Sequence, residues 1–173
     1  MIGYIDTQTG ILVIEDSVAL RNAVLSPSTY DLVKVSLQQK VYNVQEGVLT
    51  DGALHEVAVS SVCTTGCDIY YDGADNSKFY IKLPDTFVSG VYQVTVSIRF
   101  TGTTTTTQEM GCMALNNKLV CDVLEQPQKA DINDLLTFYL LERGQVCDCD
   151  CETIAKFYYH LKTKFKDGCD DCQ

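Results

Sequence analysis

The sequence has few of the residues from which enzymes build active sites. Only two histidines occur among its 173 residues, His55 and His160, and neither falls in a motif that would make it a general base. The GxGxxG fingerprint, the phosphate-binding loop, the HExxH zinc motif and the GxSxG nucleophile elbow are all missing. We therefore expect a protein that is not an enzyme and has no catalytic residues, and we interpret both histidines as surface or boundary side chains.

Positive charge and long apolar runs are also scarce. The 13 Lys and Arg against 23 Asp and Glu give a formal charge of −10, so we expect no direct grip on nucleic acid, which requires clustered basic residues. No stretch approaches the roughly 20 apolar residues that cross a bilayer, so we expect no membrane contact. The N-terminus has no basic segment followed by an apolar one, which predicts no signal peptide.

The first hundred residues show the two-residue alternation of β-strands. The clearest strand, residues 91–100, places one apolar set on a single face: Tyr92, Val94, Val96, Ile98 and Phe100. Further strands are predicted over residues 11–14, 31–37, 41–44 and 54–62, and a hairpin over residues 69–84. The acidic turn of that hairpin lacks the ligand spacing of a calcium loop. This spacing of strands predicts an antiparallel β-sandwich over residues 1–100.

A threonine-rich stretch at residues 101–108 separates this half from a region of helical period. It is either a solvated hairpin tip or a hinge, and the change of period directly afterwards favours a loop or hinge. From residue 109 on, Leu115, Leu119 and Val123 recur every four residues, which predicts a first helix that ends at Pro127. The expected domains are a β-sandwich (1–100), a Thr-rich loop or hinge (101–108) and a Cys-containing helical subdomain (109–173).

Two further helices complete the predicted appendage. The second begins at Asp131, ends at Gly144 and has the apolar face Ile132, Leu135, Leu136, Tyr139 and Leu140. The third begins near Asp150, ends at Gly168 and buries Ile154, Tyr158, Leu161 and Phe165. Short amphipathic helices on tight loops favour an antiparallel bundle. The expected fold class is α+β, an N-terminal antiparallel β-sandwich followed by a C-terminal three-helix appendage.

The predicted bundle sorts the cysteines of the helical region between its two ends. One end would gather Cys112, Cys147, Cys149 and Cys151. The other end would gather Cys121, Cys169 and Cys172. A single zinc ribbon joining both groups does not fit, because a helix of about 15 residues holds them about 22 Å apart. For the first group three interpretations stay open: reduced, half-buried small side chains, a zinc site formed by all four thiols, or disulfides. No other cofactor is expected.

Redox state and local charge bear on that choice. A chain made in the cytosol keeps its thiols reduced, and an odd total of nine cysteines fits a complete disulfide framework poorly. Aspartates beside the terminal cysteines should raise the pKa of these thiols and disfavour metal capture. Cys63 and Cys67 cannot complete a zinc site by themselves, so we expect a structural role for them.

Two stretches, MGCMALNNKLVCDVLEQ (residues 110–126) and CDCDCETIAKFYYHLKTKF (residues 147–165), resemble the C-terminal region of small virion proteins of tailed bacteriophages, especially crAss-like phages. In those proteins a β-domain precedes a cysteine-bearing helical segment. The resemblance covers roughly residues 109–172. It implies a neck or tail component, such as a ring protein beneath the portal in about twelve copies. No catalytic residue comes with it.

The expected function is therefore a non-enzymatic structural subunit of a phage virion: a head–tail connector, neck or tail ring protein. The expected partners are copies of the chain itself and neighbouring portal, ring or tail proteins, and the expected location is the virion, assembled in the host cytoplasm. Sheet edges and residues 101–108 are the expected contact points. The alternative is a cytosolic zinc-binding adaptor module.

Overall fold

The computed structural model describes residues 2–6, 10–73, 75–85, 87–88, 90–102, 105–115, 126–143 and 150–165. Within them the chain forms two strands, a helix, six further strands and two helices. These are β1 (Ile2–Asp6), β2 (Ile11–Glu15), α1 (Val18–Leu25), β3 (Tyr30–Asn43), β4 (Val48–Val59), β5 (Ile69–Asp72), β6 (Asp75–Lys82), β7 (Gly90–Phe100), β8 (Thr105–Leu115), α2 (Ile132–Arg143) and α3 (Cys151–Lys164).

The strands build two four-stranded antiparallel sheets. The first has the order β1-β2-β6-β5 and the second has the order β4-β3-β7-β8. The mixed α+β class is therefore confirmed, and so is the hairpin formed by β5 and β6. The predicted strands at residues 31–37 and 41–44 are parts of one 14-residue strand, β3.

One hydrophobic core takes side chains from both sheets and from α1. The first sheet contributes Leu12, Ile14, Ile69, Phe79 and Ile81. The second sheet contributes Val33, Val35, Leu37, Val57, Tyr92, Val94, Val96, Ile98 and Met113. The predicted inner face of β7 is confirmed, and Phe100 at its end is partly buried against the same core. Alternation along β7 thus correctly identified the face on which the largest core is built.

Helix α1 has no counterpart in the prediction. Ser17 caps it, because the Ser17 Oγ accepts a hydrogen bond from the Leu20 backbone N–H at 3.2 Å. Gln108 of β8 adds a long-range cap: its Oε1 accepts from the Ala19 N–H at 2.9 Å and from the Ser17 hydroxyl at 3.1 Å. Leu20 and Ala23 then pack into the core. Gln108, the last residue of the Thr-rich stretch, therefore helps to cap α1, which is distant from it in sequence.

The predicted helix starting at residue 109 is wrong over residues 109–115, which belong to β8. This strand pairs with β7 from Arg99↔Thr105 to Gly90↔Leu115, so the two strands form a hairpin across the predicted hinge. Threonine is β-branched and favours strands, which explains why residues 105–107 extend the sheet. Residues 116–125 lie outside the described residues. The domain division stays a prediction.

A β-bulge decides which face each residue of β8 presents. The register shifts between Val94 and Thr95, which pair with Gly111 and Glu109, so Met110 is the extra residue. Gly111 has φ 107°, a left-handed conformation that favours glycine. Because side chains alternate along a strand, the extra residue turns Cys112 away from the inter-sheet core and Met113 into it.

The loop between β4 and β5 contains a short covalent link. A disulfide joins Cys63 to Cys67, whose Cα atoms lie 6.2 Å apart. Cys63 also forms an isolated parallel bridge with Tyr70 at the start of β5. Both cysteines therefore have a structural role, as expected. The expectation that the thiols stay reduced is wrong for this pair, which the loop brings together.

Candidate functional site

Helix α3 lies on the outer face of the second sheet. It begins at Asp150, whose side chain accepts a hydrogen bond from the Thr153 N–H at 2.7 Å and so caps the first turn. Its buried residues are Ile154, Ala155, Tyr158 and Leu161, followed by Phe165. They form a second core with Val91 of β7, Cys112 of β8 and the partly buried Tyr42 and Leu49. The start and the buried face predicted for this helix are confirmed.

Helix α2 begins with a reciprocal cap. The Asp134 N–H donates to the Asp131 carboxylate and the Asp131 N–H donates to the Asp134 carboxylate, both at 2.9 Å. The Asp134 backbone N–H holds the pKa of Asp131 below its usual value. Lys164, at the end of α3, forms ion pairs with both carboxylates. The N-terminus of α2 is thereby attached to the C-terminus of α3, and the predicted cap at Asp131 is confirmed.

The predicted bundle would bury the apolar face of α2, but four of its five side chains are exposed, and the side chain of Leu140 lies outside the described part of the structure. The exposed fractions of the four are 73% for Ile132, 51% for Leu135, 56% for Leu136 and 47% for Tyr139. We call Ile132, Leu135, Leu136 and Tyr139 the α2 apolar face. The side of the helix towards α3 instead carries Asp134, Thr137 and the buried Leu141. Among the described side chains of α2, the apolar face is therefore exposed, whereas a surface helix ordinarily packs its apolar face on the core.

A cleft of about 570 Å³ separates α2 from α3. Asp134 and Thr137 line it from α2, and Phe157 and His160 line it from α3. Val44, just after β3, also lines it. Since these side chains lie on the inner side of α2, the cleft and the α2 apolar face are different surfaces.

Cys112 and Cys151 meet where α3 begins. Cys112 is 5% exposed on β8, Cys151 is half-buried at the first position of α3, and both are free thiols. Both side chains lie in one packed cluster, Cys112 buried in it and Cys151 packed against it. Interaction with the Cys151 side chain and burial raise the pKa of Cys112, whereas interaction with Cys112 lowers the pKa of Cys151. Repulsion from Asp150 raises the pKa of Cys151, as predicted, but the interaction with Cys112 is the larger effect and the net shift is downward.

The structure thus brings together two of the four candidate zinc ligands. Cys147 and Cys149 lie outside the described residues, as do Cys121, Cys169 and Cys172 at the other predicted end of the bundle. Among the described residues, no group of three or more His, Cys, Asp or Glu side chains is arranged to hold a metal ion. A zinc site at Cys112, Cys147, Cys149 and Cys151 therefore stays a prediction.

The two histidines occupy different surroundings. His55 lies in β4 with its ring 5.3 Å from Phe87 and 6.0 Å from Tyr92, and its Nε2 is buried without a hydrogen-bond partner in the part of the chain that the structure describes. His160 is exposed on α3, 6.2 Å from the Tyr42 ring.

The exposed edge of the second sheet is the other notable surface. Strand β4 lies at that edge and most of its side chains are exposed. Acidic side chains along it pair with β3: Glu56 accepts from Lys34 at 2.7 Å and Asp51 accepts from Lys40 at 2.6 Å. Charged side chains are a common means by which proteins limit unwanted pairing at an edge strand. The α2 apolar face has no such charges among its four residues.

No protein-family model, no curated protein and no solved structure matches this chain. The resemblance to phage virion proteins therefore stays a prediction. Across the described ranges, no helix combines the length and the apolar character needed to span a membrane.

The sequence pattern identified the residues of the α2 apolar face but not their exposure to solvent. Their helical spacing showed that they share one side of a helix, and the prediction assigned that side to a bundle core. The approach of Cys112 to Cys151 was predicted from the ends of a bundle, whereas the structure achieves it by packing a helix on a bulged strand. The signal for the bulge was Gly111, inside an otherwise strand-like run.

Proposed function

We propose that this chain is a non-enzymatic structural subunit of a phage virion, a head–tail connector, neck or tail ring protein that assembles with copies of itself. The two sheets that share one core form a β-sandwich in this proposal, and α2 and α3 are the assembly element on its outer face. The partners are neighbouring copies and adjacent portal, ring or tail proteins in a particle assembled in the host cytoplasm.

The observation that carries the proposal is the outward orientation of the α2 apolar face. Isolated soluble chains rarely expose a contiguous stripe of large apolar side chains, and such stripes mark surfaces that contact other proteins. Ile132, Leu135 and Leu136 are each more than half exposed, although their helix is fixed at its N-terminus by Lys164. A neighbouring copy that packs on this stripe would bury it, as ring subunits do at head-to-tail contacts.

The acidic composition and the edges of the sheets fit the same role. A formal charge of −10 keeps a subunit soluble before assembly. Thr105, Thr106 and Thr107 are exposed on β8, the other edge strand of the second sheet, and give a polar contact surface. The resemblance of residues 109–172 to virion proteins supplies the class of particle.

Native mass spectrometry of the full chain tests assembly directly. We expect a closed oligomer of about twelve copies, against a 19.2 kDa species for a monomer. The variant Leu136→Asp should be monomeric with an unchanged melting temperature, because a charge in the contact disfavours association while leaving the monomer fold untouched. Asn133→Asp adds the same charge at an exposed position of the same helix and should assemble normally. A monomeric wild type, or an L136D variant that still assembles, would contradict the proposal.

The contact between Cys112 and Cys151 favours a second candidate, a cytosolic zinc-binding adaptor module. Thiolates are preferred zinc ligands, and two of the four required already share one packed cluster. The same native spectra distinguish the two candidates: the adaptor predicts a monomer carrying one zinc ion, which is lost when Cys112 is replaced by alanine.

A further inference from the structure

The pair formed by Cys112 and Cys151 joins two elements that are distant in sequence. Cys112 lies on an edge strand and faces α3 because of the bulge at Gly111. Cys151 is the first residue of α3, and Val91, Ile154 and Ala155 belong to the same packed cluster. Both free thiols lie in this one packed cluster, so their surroundings hold them in one place.

We propose that Cys112 and Cys151 are a thiol–disulfide exchange site, and that their disulfide clamps the start of α3 to β8. The co-reactant is a low-molecular-weight disulfide such as oxidised glutathione. Cys151 is the thiol that reacts first, because it is half-buried whereas Cys112 is 5% exposed. The inference concerns these two residues and does not rest on the proposed assembly.

The exchange proceeds in two balanced steps. The Cys151 thiolate attacks one sulfur of the oxidised glutathione, forming a mixed disulfide and releasing one glutathione thiolate. Cys112 then gives its proton to solvent and attacks the Cys151 sulfur, which releases the second glutathione thiolate. The two protein thiols lose two electrons in total, and the small disulfide gains them as two thiols.

The covalent link would constrain more than α3. The segment between Cys112 and Cys151 includes α2, so the disulfide closes a loop that carries the α2 apolar face. Such a link lowers the entropy of the unfolded chain and so stabilises the folded one. In a reducing cytosol the site stays as two thiols, and in an oxidising environment it closes.

The test uses the full chain with serine at Cys121, Cys147, Cys149, Cys169 and Cys172, which leaves only Cys63, Cys67, Cys112 and Cys151. It is incubated with either oxidised glutathione or a phosphine reductant, each with a chelator. Peptide mapping by mass spectrometry should recover a peptide joining Cys112 to Cys151 from the oxidised sample alone. The oxidised chain should melt roughly 10 °C above the reduced one, given the length of the closed loop.

The variant Cys112→Ala, in the same background, is the matched control. This variant should retain glutathione on Cys151, because no second thiol is there to displace it. Its oxidised and reduced samples should differ in melting temperature by less than those of the parent chain. Any difference that remains measures the contribution of the Cys63–Cys67 disulfide. The inference is overturned if the parent chain keeps a stable mixed disulfide on Cys151, if neither thiol reacts, or if the linked chain melts at the temperature of the reduced one. Mapping of the wild-type chain then shows whether the same pair forms with all nine cysteines present.

Discussion

Strand β7 and helix α2 both carry a stripe of large apolar side chains, and the two stripes have opposite surroundings. On β7, Tyr92, Val94 and Val96 are fully buried in the core to which both sheets contribute. On α2, Ile132, Leu135 and Leu136 are each more than half exposed. The period of a pattern shows which side chains share a face, and it does not show what covers that face. A stripe that the described residues leave exposed is where a partner is to be sought.

The largest expected difference in the free energy of unfolding is between a charge placed in the β7 stripe and the same charge placed in the α2 apolar face. Val96→Asp buries an unpaired carboxylate in the core and should destabilise the chain by at least about 4 kcal/mol, enough to unfold a marginally stable domain. The identical charge in Leu136→Asp should change the free energy of unfolding by less than about 1 kcal/mol, because the side chain remains solvated. Urea denaturation followed by circular dichroism measures both. Equal losses for the two variants would mean that the α2 apolar face is covered within its own chain.

A smaller effect separates the two C-terminal helices from each other. Leu161→Ala on α3 removes a side chain that is 3% exposed, and the cavity should cost about 2–5 kcal/mol. Leu135→Ala on α2 deletes the same atoms from a side chain that is 51% exposed and should cost less than about 0.5 kcal/mol. Both positions are helical, so helix propensity affects them equally and burial accounts for the difference. Guanidinium melts of monomeric protein give the two values, and a larger cost at Leu135 would reverse our assignment of the buried helix.

Signals confined to a few neighbouring residues were readable from the sequence. The caps at Asp131 and Asp150 and the alternation of β7 each depend on side chains and backbone groups close together in the chain, so the sequence alone specifies them. The hairpin of β5 and β6, in which Asp72 pairs with Asp75, is likewise specified by residues close together in the chain. These elements were predicted for the physical reasons that the structure displays.

Features decided by distant contacts were misjudged. Residues 109–115 join β8 because β7 offers a free edge, and the bulge at Gly111 interrupts the alternation that would have revealed the strand. Helix α1 is short and depends on Gln108 for part of its cap, a partner that local reasoning does not supply. Helix α2 is positioned by Leu141, which packs in the same cluster as the buried residues of α3, and by ion pairs between Lys164 and its first turn. Each outcome was set by groups remote in sequence.

The smallest expected effect concerns the cap of α3 and its dependence on pH. The Thr153 backbone N–H lowers the pKa of Asp150 in the folded chain. A folded pKa below the unfolded one gives stability that is present above the unfolded pKa, near 3.9 for aspartate, and is lost as pH falls through the folded value. Asp150→Ala should lower the melting temperature at neutral pH by roughly 3 °C, with a smaller difference from wild type in strong acid. Asp150→Asn keeps an acceptor for Thr153 and should melt close to wild type at neutral pH, with a weaker loss on acidification. If D150A and wild type differ equally at every pH, the carboxylate does not stabilise the start of α3.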